Sequence, residues 1–173
     1  LGGRQTHLIA CSGAVTADVT DKSQHPSEPP QAKALQDIPD NPGLVYLTIG
    51  GNDIHFGDIV TGCILGNCTA DRAEMTRRLS DIPQRKESLK KTYRAVIVSP
   101  YPDPLWEKEQ GNCATVMPNV SLSPSEISYG RQILTLLNRT VRDAVTELSK
   151  EGYPVYYAQD VVDLAKPNHT ICN

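Results

Sequence analysis

No stretch of the 173-residue sequence approaches the roughly 18 consecutive apolar residues that a membrane-spanning helix needs, so no transmembrane segment is expected. Neither sign of charge dominates: 17 Lys and Arg against 20 Asp and Glu leave a net charge of −3. Without a basic excess there is no general attraction for a polyanion, and nucleic acid is not an expected partner. The histidines and cysteines show neither Cys-x-x-Cys nor His-x-x-x-His spacing, which places a metal enzyme last among the readings. Leu1 stands where an initiator Met would, no signal peptide precedes Thr6, and Asn173 follows Cys172 directly. The expectation is an excerpt of a longer chain.

What remains is a soluble chain of ordinary composition, 39% apolar, long enough to bury a core as a single domain over residues 1–173. Its five cysteines, at 11, 63, 68, 113 and 172, leave one unmatched in an oxidising compartment. Four glycosylation sequons begin at Asn67, Asn119, Asn138 and Asn168. Cysteines and sequons together point to secretion, although Asn138 falls in a predicted helix and is a poor acceptor.

Short runs rich in β-branched residues, at 7–11, 44–49, 95–99 and 155–158, read as buried strands. Between the last two, Ser123-Pro124-Ser125-Glu126 is a capping box with proline at the first helical position. Ile127, Leu134, Leu137, Val141, Ala144, Val145 and Leu148 follow at helical spacing, and Gly152 supplies a stop. A second helical stretch, 71–93, puts Met75, Leu79, Ile82, Leu89 and Tyr93 on one stripe, with Pro83 kinking or splitting it. Its many Arg and Lys alternate with acids, the pattern of a solvated helix face. Strands alternating with helices predict an α/β fold with a parallel sheet, whose ligands bind in the loops beyond the carboxyl ends of the strands.

Two of those loops carry candidate chemistry. In Leu47-Thr48-Ile49-Gly50-Gly51-Asn52-Asp53 a strand runs into paired glycines, which allow close backbone approach, and then into Asn52, whose amide can donate to a ligand oxygen. Asp53 is placed to cap the helix that follows. Taken alone, the tetrapeptide is also ordinary turn chemistry. Ala10-Cys11-Ser12-Gly13-Ala14 repeats the arrangement with the backbone N–H of Gly13. Preorganised donors of this kind stabilise the negative oxygen of a tetrahedral acyl intermediate.

These two segments, with Ile54 and Phe56, Cys63 and Cys68, and Tyr101-Pro102 after a strand, resemble the SGNH (GDSL-type) hydrolases of secreted actinomycete and fungal lipase type. The match runs in order through most of the chain. It implies a three-layer, flavodoxin-like α/β/α sandwich that hydrolyses carboxylic esters, a small-molecule or lipid ester as substrate, a monomer, and no cofactor. Gly13 and Asn52 match the two oxyanion-hole donors of that family. The family's Gly-Asp-Ser block, which carries the nucleophile, is absent from the twelve residues upstream of Gly13. Its Asp-x-x-His block is not formed by Asp160, Asp163 and His169, whose spacing is wrong; His169 reads as a wall residue. Cys63 with Cys68, and Cys113 with Cys172, make a compatible disulfide set. The resemblance assigns the leftover Cys11 a partner near the nucleophile, and the alternative is a buried free thiol.

Ser12 is a substitute nucleophile only if a base lies within reach, and the candidates are His7, at the far end of its strand, and His55. His25 belongs to a polar stretch, 23–31. The rival class is a noncatalytic module that binds an acyl or glycan oxygen. Substrate identity is left open, because the loop expected to shape an acyl pocket, 102–118, is proline-rich around Trp106 and variable in kind.

Overall fold

The structure, a computed structural model, describes residues 5–38, 43–64, 95–105, 113–114, 121–164, 166 and 170. Three of the expected strands form, each shorter than its apolar run: β1 (Val45–Leu47), β2 (Val96–Val98) and β5 (Val155–Tyr157). They pair in parallel in the order β1-β2-β5, with Val45 opposite Val96 and Val96 opposite Val155. A two-stranded antiparallel ribbon, β3 (Cys113–Ala114) with β4 (Ser121–Leu122), lies between β2 and β5 in the chain. Short helices α1 (Thr16–Thr20) and α2 (Gln31–Gln36) precede β1, and α3 (Phe56–Ile64) follows it.

The long helix α4 (Pro124–Lys150) is the crossover from β2 to β5 and carries the core. Its stripe of Ile127, Ile133, Leu137, Val141, Val145 and Leu148 packs with Val96, Val98 and Val155 of the sheet. Each such aliphatic side chain, fully buried, contributes about 1.5–3 kcal/mol. The period-2 alternation of strands turns Tyr46, Ile97 and Tyr156 to the other face, where the register sets them in one row. Tyr46 and Tyr156 remain 62% and 58% exposed, so among the described residues this face is not closed by a helical layer as α4 closes the first.

Both ends of α4 form as the sequence predicts. Ser123 Oγ accepts from the Glu126 N–H at 3.4 Å while Glu126 Oε2 accepts from the Ser123 N–H at 2.7 Å. At the far end Gly152 (φ 90°) donates to Ser149 O and Tyr153 to Leu148 O, the two bonds of a Schellman stop. Bonds from Ser123 hold the Glu126 carboxyl below its usual value. The cap therefore acts fully above that usual value and is lost as pH falls through the lowered one. Ser123→Ala is expected to cost about 1 kcal/mol in denaturant unfolding at neutral pH. An unchanged midpoint would remove the cap from the account.

The strand expected at 7–11 does not form. These residues adopt no regular secondary structure and pair with no strand among the described residues, and Leu8 is 89% exposed. An apolar, β-branched run becomes a strand only where a neighbour takes up its N–H and C=O groups, and among the described residues no strand pairs with 7–11. The helical stretch expected at 71–93 lies outside the described residues. Among the described residues no helix is long and apolar enough to cross a membrane.

Candidate active site

Beyond the carboxyl end of β1 the chain turns sharply through Gly50, whose φ of 108° only glycine adopts without strain. Gly51 is required for a different reason: a Cβ there would lie 2.7 Å from the hydroxyl oxygen of Tyr101. That hydroxyl accepts the Gly51 N–H at 3.0 Å and so holds the turn against the loop leaving β2. Burial pushes the Tyr101 phenol above its ordinary value, against the opposing effect of the Gly51 N–H, and it is protonated at neutral pH.

Next comes Asn52, which is exposed, and its Nδ2 donates to the carbonyl of Ala14 at 2.9 Å. Two of the sequence-derived candidates are thereby brought together, because Ala14 directly follows Gly13. Gly13 sits in a tight turn with φ 79°, closed by the Ala14 N–H on Cys11 O at 3.3 Å. Gly13 is exposed, and among the described residues no acceptor takes its N–H. An amide has two N–H donors, so the Ala14 bond orients the Asn52 side chain and leaves the second donor for a ligand.

Asp53 does not cap α3 as expected. The N–H groups of His55 and Phe56 at the start of that helix go instead to Asn52 O and Gly51 O. The Asp53 carboxylate reaches back to α1, where it accepts from Thr16 N at 3.1 and 3.0 Å and from Thr16 Oγ1 at 2.6 Å. Sequence reading missed this partner, since nothing local marks a contact 37 positions away.

It also missed two buried polar side chains behind the rim. Asn138, in the middle of α4, clamps the Tyr101 backbone: its Oδ1 accepts from Tyr101 N and its Nδ2 donates to Tyr101 O, both at 2.9 Å. The Tyr157 hydroxyl, from β5, donates to Asn138 O at 3.0 Å, so one residue ties two strand exits to the helix. Asn138 is 8% exposed with its amide committed, which removes it as a glycan acceptor in the folded chain. Asp103, 5% exposed, accepts from Arg131 Nε at 3.1 Å and from Leu105 N at 3.1 Å. This fastens the same loop to α4. The sequons at Asn67, Asn119 and Asn168 lie outside the described residues.

No histidine is hydrogen-bonded to Ser12 among the described residues. His55 pairs with Asp58 at 3.0 Å on the surface, and His7 and His25 are exposed. His55 is also held at φ 53°, a left-handed conformation uncommon for a residue with a side chain. His169, Cys68 and Cys172 and the side chains of Cys63 and Cys113 lie outside the described residues, so neither expected disulfide is described. Cys11 is a free thiol whose sulfur donates to Glu28 Oε2 at 3.6 Å. Burial and the Glu28 carboxylate push the Cys11 pKa above the ordinary thiol value. Less of it is thiolate near neutral pH, so iodoacetamide is expected to modify Cys11 more slowly than free cysteine, and Glu28→Gln to quicken the reaction. Equal rates in both comparisons would contradict that environment. No group of three or more His, Cys, Asp and Glu that could hold a metal ion occurs among the described residues.

The parallel sheet, with its helical crossover and its polar rim at the strand exits, defines an α/β protein. No family model matches the chain. A lipase of Streptomyces rimosus is 35% identical to it over 82 residues, 47% of this chain and 26% of that lipase. A crystal structure of phospholipase A1 from Streptomyces albidoflavus NA297 superposes with a TM-score of 0.64 and 28% identity, covering 94% of this chain and 62% of that one. An extracellular lipase from Streptomyces rimosus superposes with a TM-score of 0.65 over 94% of this chain and 64% of its own; at 22% identity it speaks for the fold alone. The chain is thus similar to Streptomyces lipases and phospholipase A1, and it spans less than two thirds of the solved chains and about a quarter of the lipase it matches in sequence.

Proposed function

We propose that this chain is the oxyanion-stabilising part of a secreted carboxylic ester hydrolase of the SGNH type, with a three-layer α/β/α sandwich as its complete architecture. The observation that supports the reading is the Asn52 Nδ2 bond to Ala14 O at 2.9 Å, which links the segment carrying the Gly13 backbone donor to the turn after β1 that carries the Asn52 side-chain donor. In the reaction, a serine oxygen adds to the ester carbonyl while a histidine takes the serine proton. The carbonyl oxygen becomes negative and accepts from Gly13 N–H and from the free N–H of Asn52. Collapse of the intermediate expels the alcohol, which takes the proton from the histidine, and water then releases the acid by the same steps.

Serine and histidine are supplied from outside residues 1–173, because Gly-Asp-Ser and Asp-x-x-His do not occur within them in the required places. The similarity to a Streptomyces lipase and to phospholipase A1 supports an ester as substrate, and the cysteines and sequons of the sequence support secretion. The mechanism calls for no cofactor. The test is turnover of a short-chain nitrophenyl ester by the complete protein with and without Asn52→Ala. Loss of turnover supports the assignment, and unchanged turnover sinks it. The same missing blocks favour a second reading, a noncatalytic relative that binds an acyl or glycan oxygen at this rim; a complete protein that lacks them too and shows no turnover would establish it.

A further inference from the structure

An oxyanion hole assembled from two separate segments works only if the spacing between them is fixed, and a displacement of about 1 Å can cost a hundredfold in rate. The Asn52 bond to Ala14 is one tether between the segments, and a single tether is a hinge. The second tether comes from the next residue in each direction that can reach: Asp53 takes both the N–H and the hydroxyl of Thr16, the hydroxyl at 2.6 Å. Thr16 is 8% exposed, so this contact is shielded from competing water. Asp53 has no duty at α3, whose first N–H groups are taken by backbone carbonyls.

We propose that Asp53 and Thr16 form a positioning pair that sets the placement of the Gly13 N–H relative to the Asn52 amide. Neither touches substrate; they act through the two donors, and the proposal rests on the oxyanion reading given above. Two side chains adjacent in the chain, Asn52 and Asp53, grip two points in the opposite segment, Ala14 and Thr16. Relative rotation as well as separation is thereby fixed. The Asn52 amide is then oriented without having to serve as the sole link, which keeps its second N–H available.

The test uses the complete protein with a short-chain nitrophenyl ester. Thr16→Val keeps the shape and the backbone N–H but removes the hydroxyl. It is expected to lower kcat about tenfold with KM within about twofold, while Thr16→Ser restores kcat. The distinguishing measurement is the Thr16→Val effect in an Asn52→Ala background. If Thr16 acts through the oxyanion donors, its effect on kcat shrinks there to less than about threefold, because residues of one unit are not additive. A merely structural role gives the same factor in both backgrounds, and that result overturns the proposal. So does a Thr16→Val enzyme with unchanged kcat while Asn52→Ala alone is impaired, an outcome that leaves the oxyanion reading standing. If Asn52→Ala alone has no effect, the oxyanion reading falls and the positioning role falls with it. Were Thr16→Val to fold poorly, active-site titration with a fluorophosphonate corrects kcat to the competent fraction, so the comparison still decides.

Discussion

Asn52→Ala is expected to lower kcat of the complete protein by about a hundred- to a thousandfold, with KM changed little. The reason is where the side chain acts. Asn52 is exposed and lies outside the apolar cluster beneath the rim, so truncation removes little packing. What it removes is one hydrogen bond to Ala14 O and one further N–H donor on an exposed side chain. The lost bond costs about 1 kcal/mol of stability, which still leaves a folded protein. The lost donor acts only when charge has developed on the substrate oxygen, and such interactions appear in kcat rather than in ground-state affinity. Steady-state kinetics beside a melting curve separates the two: a large fall in kcat at nearly constant melting temperature is the expected pattern. A proportionate fall in both would instead make Asn52 a structural residue.

Asn138→Leu is expected to destabilise the chain by about 3 kcal/mol, the largest effect anticipated for a residue away from the rim. Leucine has the same branching and the same number of side-chain heavy atoms as asparagine, though a larger volume, and suits an α4 position among Leu137 and Val141. The cost is electrostatic: Tyr101 N–H and C=O both lose their partner in a site where Asn138 itself is 8% exposed. Leaving a buried polar group unpaired costs about 1–3 kcal/mol, and here there are two, partly relieved by relaxation of the loop. The loop that shifts carries the Tyr101 hydroxyl, so the Gly51 turn loosens as well. Urea unfolding of the wild type and the variant measures the loss. A change below about 1 kcal/mol would show that the clamp is not needed to hold Tyr101.

The parts of the fold that were legible in the sequence are those determined locally or by strong periodicity. Ser123 and Glu126 specify their helix start within four residues, and Gly152 specifies its end through a backbone conformation glycine favours. The three paired strands, each opening on the valine that packs on α4, were marked by short apolar runs. The turns at Gly13 and Gly50 could be expected because glycine tolerates positive φ. Residues 7–11 carried an equally good strand pattern and failed for want of a partner, which no local pattern reports. The site was half legible for the same reason. Asn52 and Gly13 are found by residue type and position after apolar runs, whereas Thr16, Asn138 and Asp103 matter through contacts between distant segments. A Thr in the first turn of a helix, or an Asn in the middle of one, looks solvated until the packing is known.

The most direct test of the central claim is fluorophosphonate labelling of the complete natural protein, read by peptide mass spectrometry alongside ester turnover. The account predicts that the label enters a serine outside residues 1–173 and that turnover is lost in proportion to labelling. Label on Ser12, or a complete protein that neither labels nor turns over esters, would contradict it.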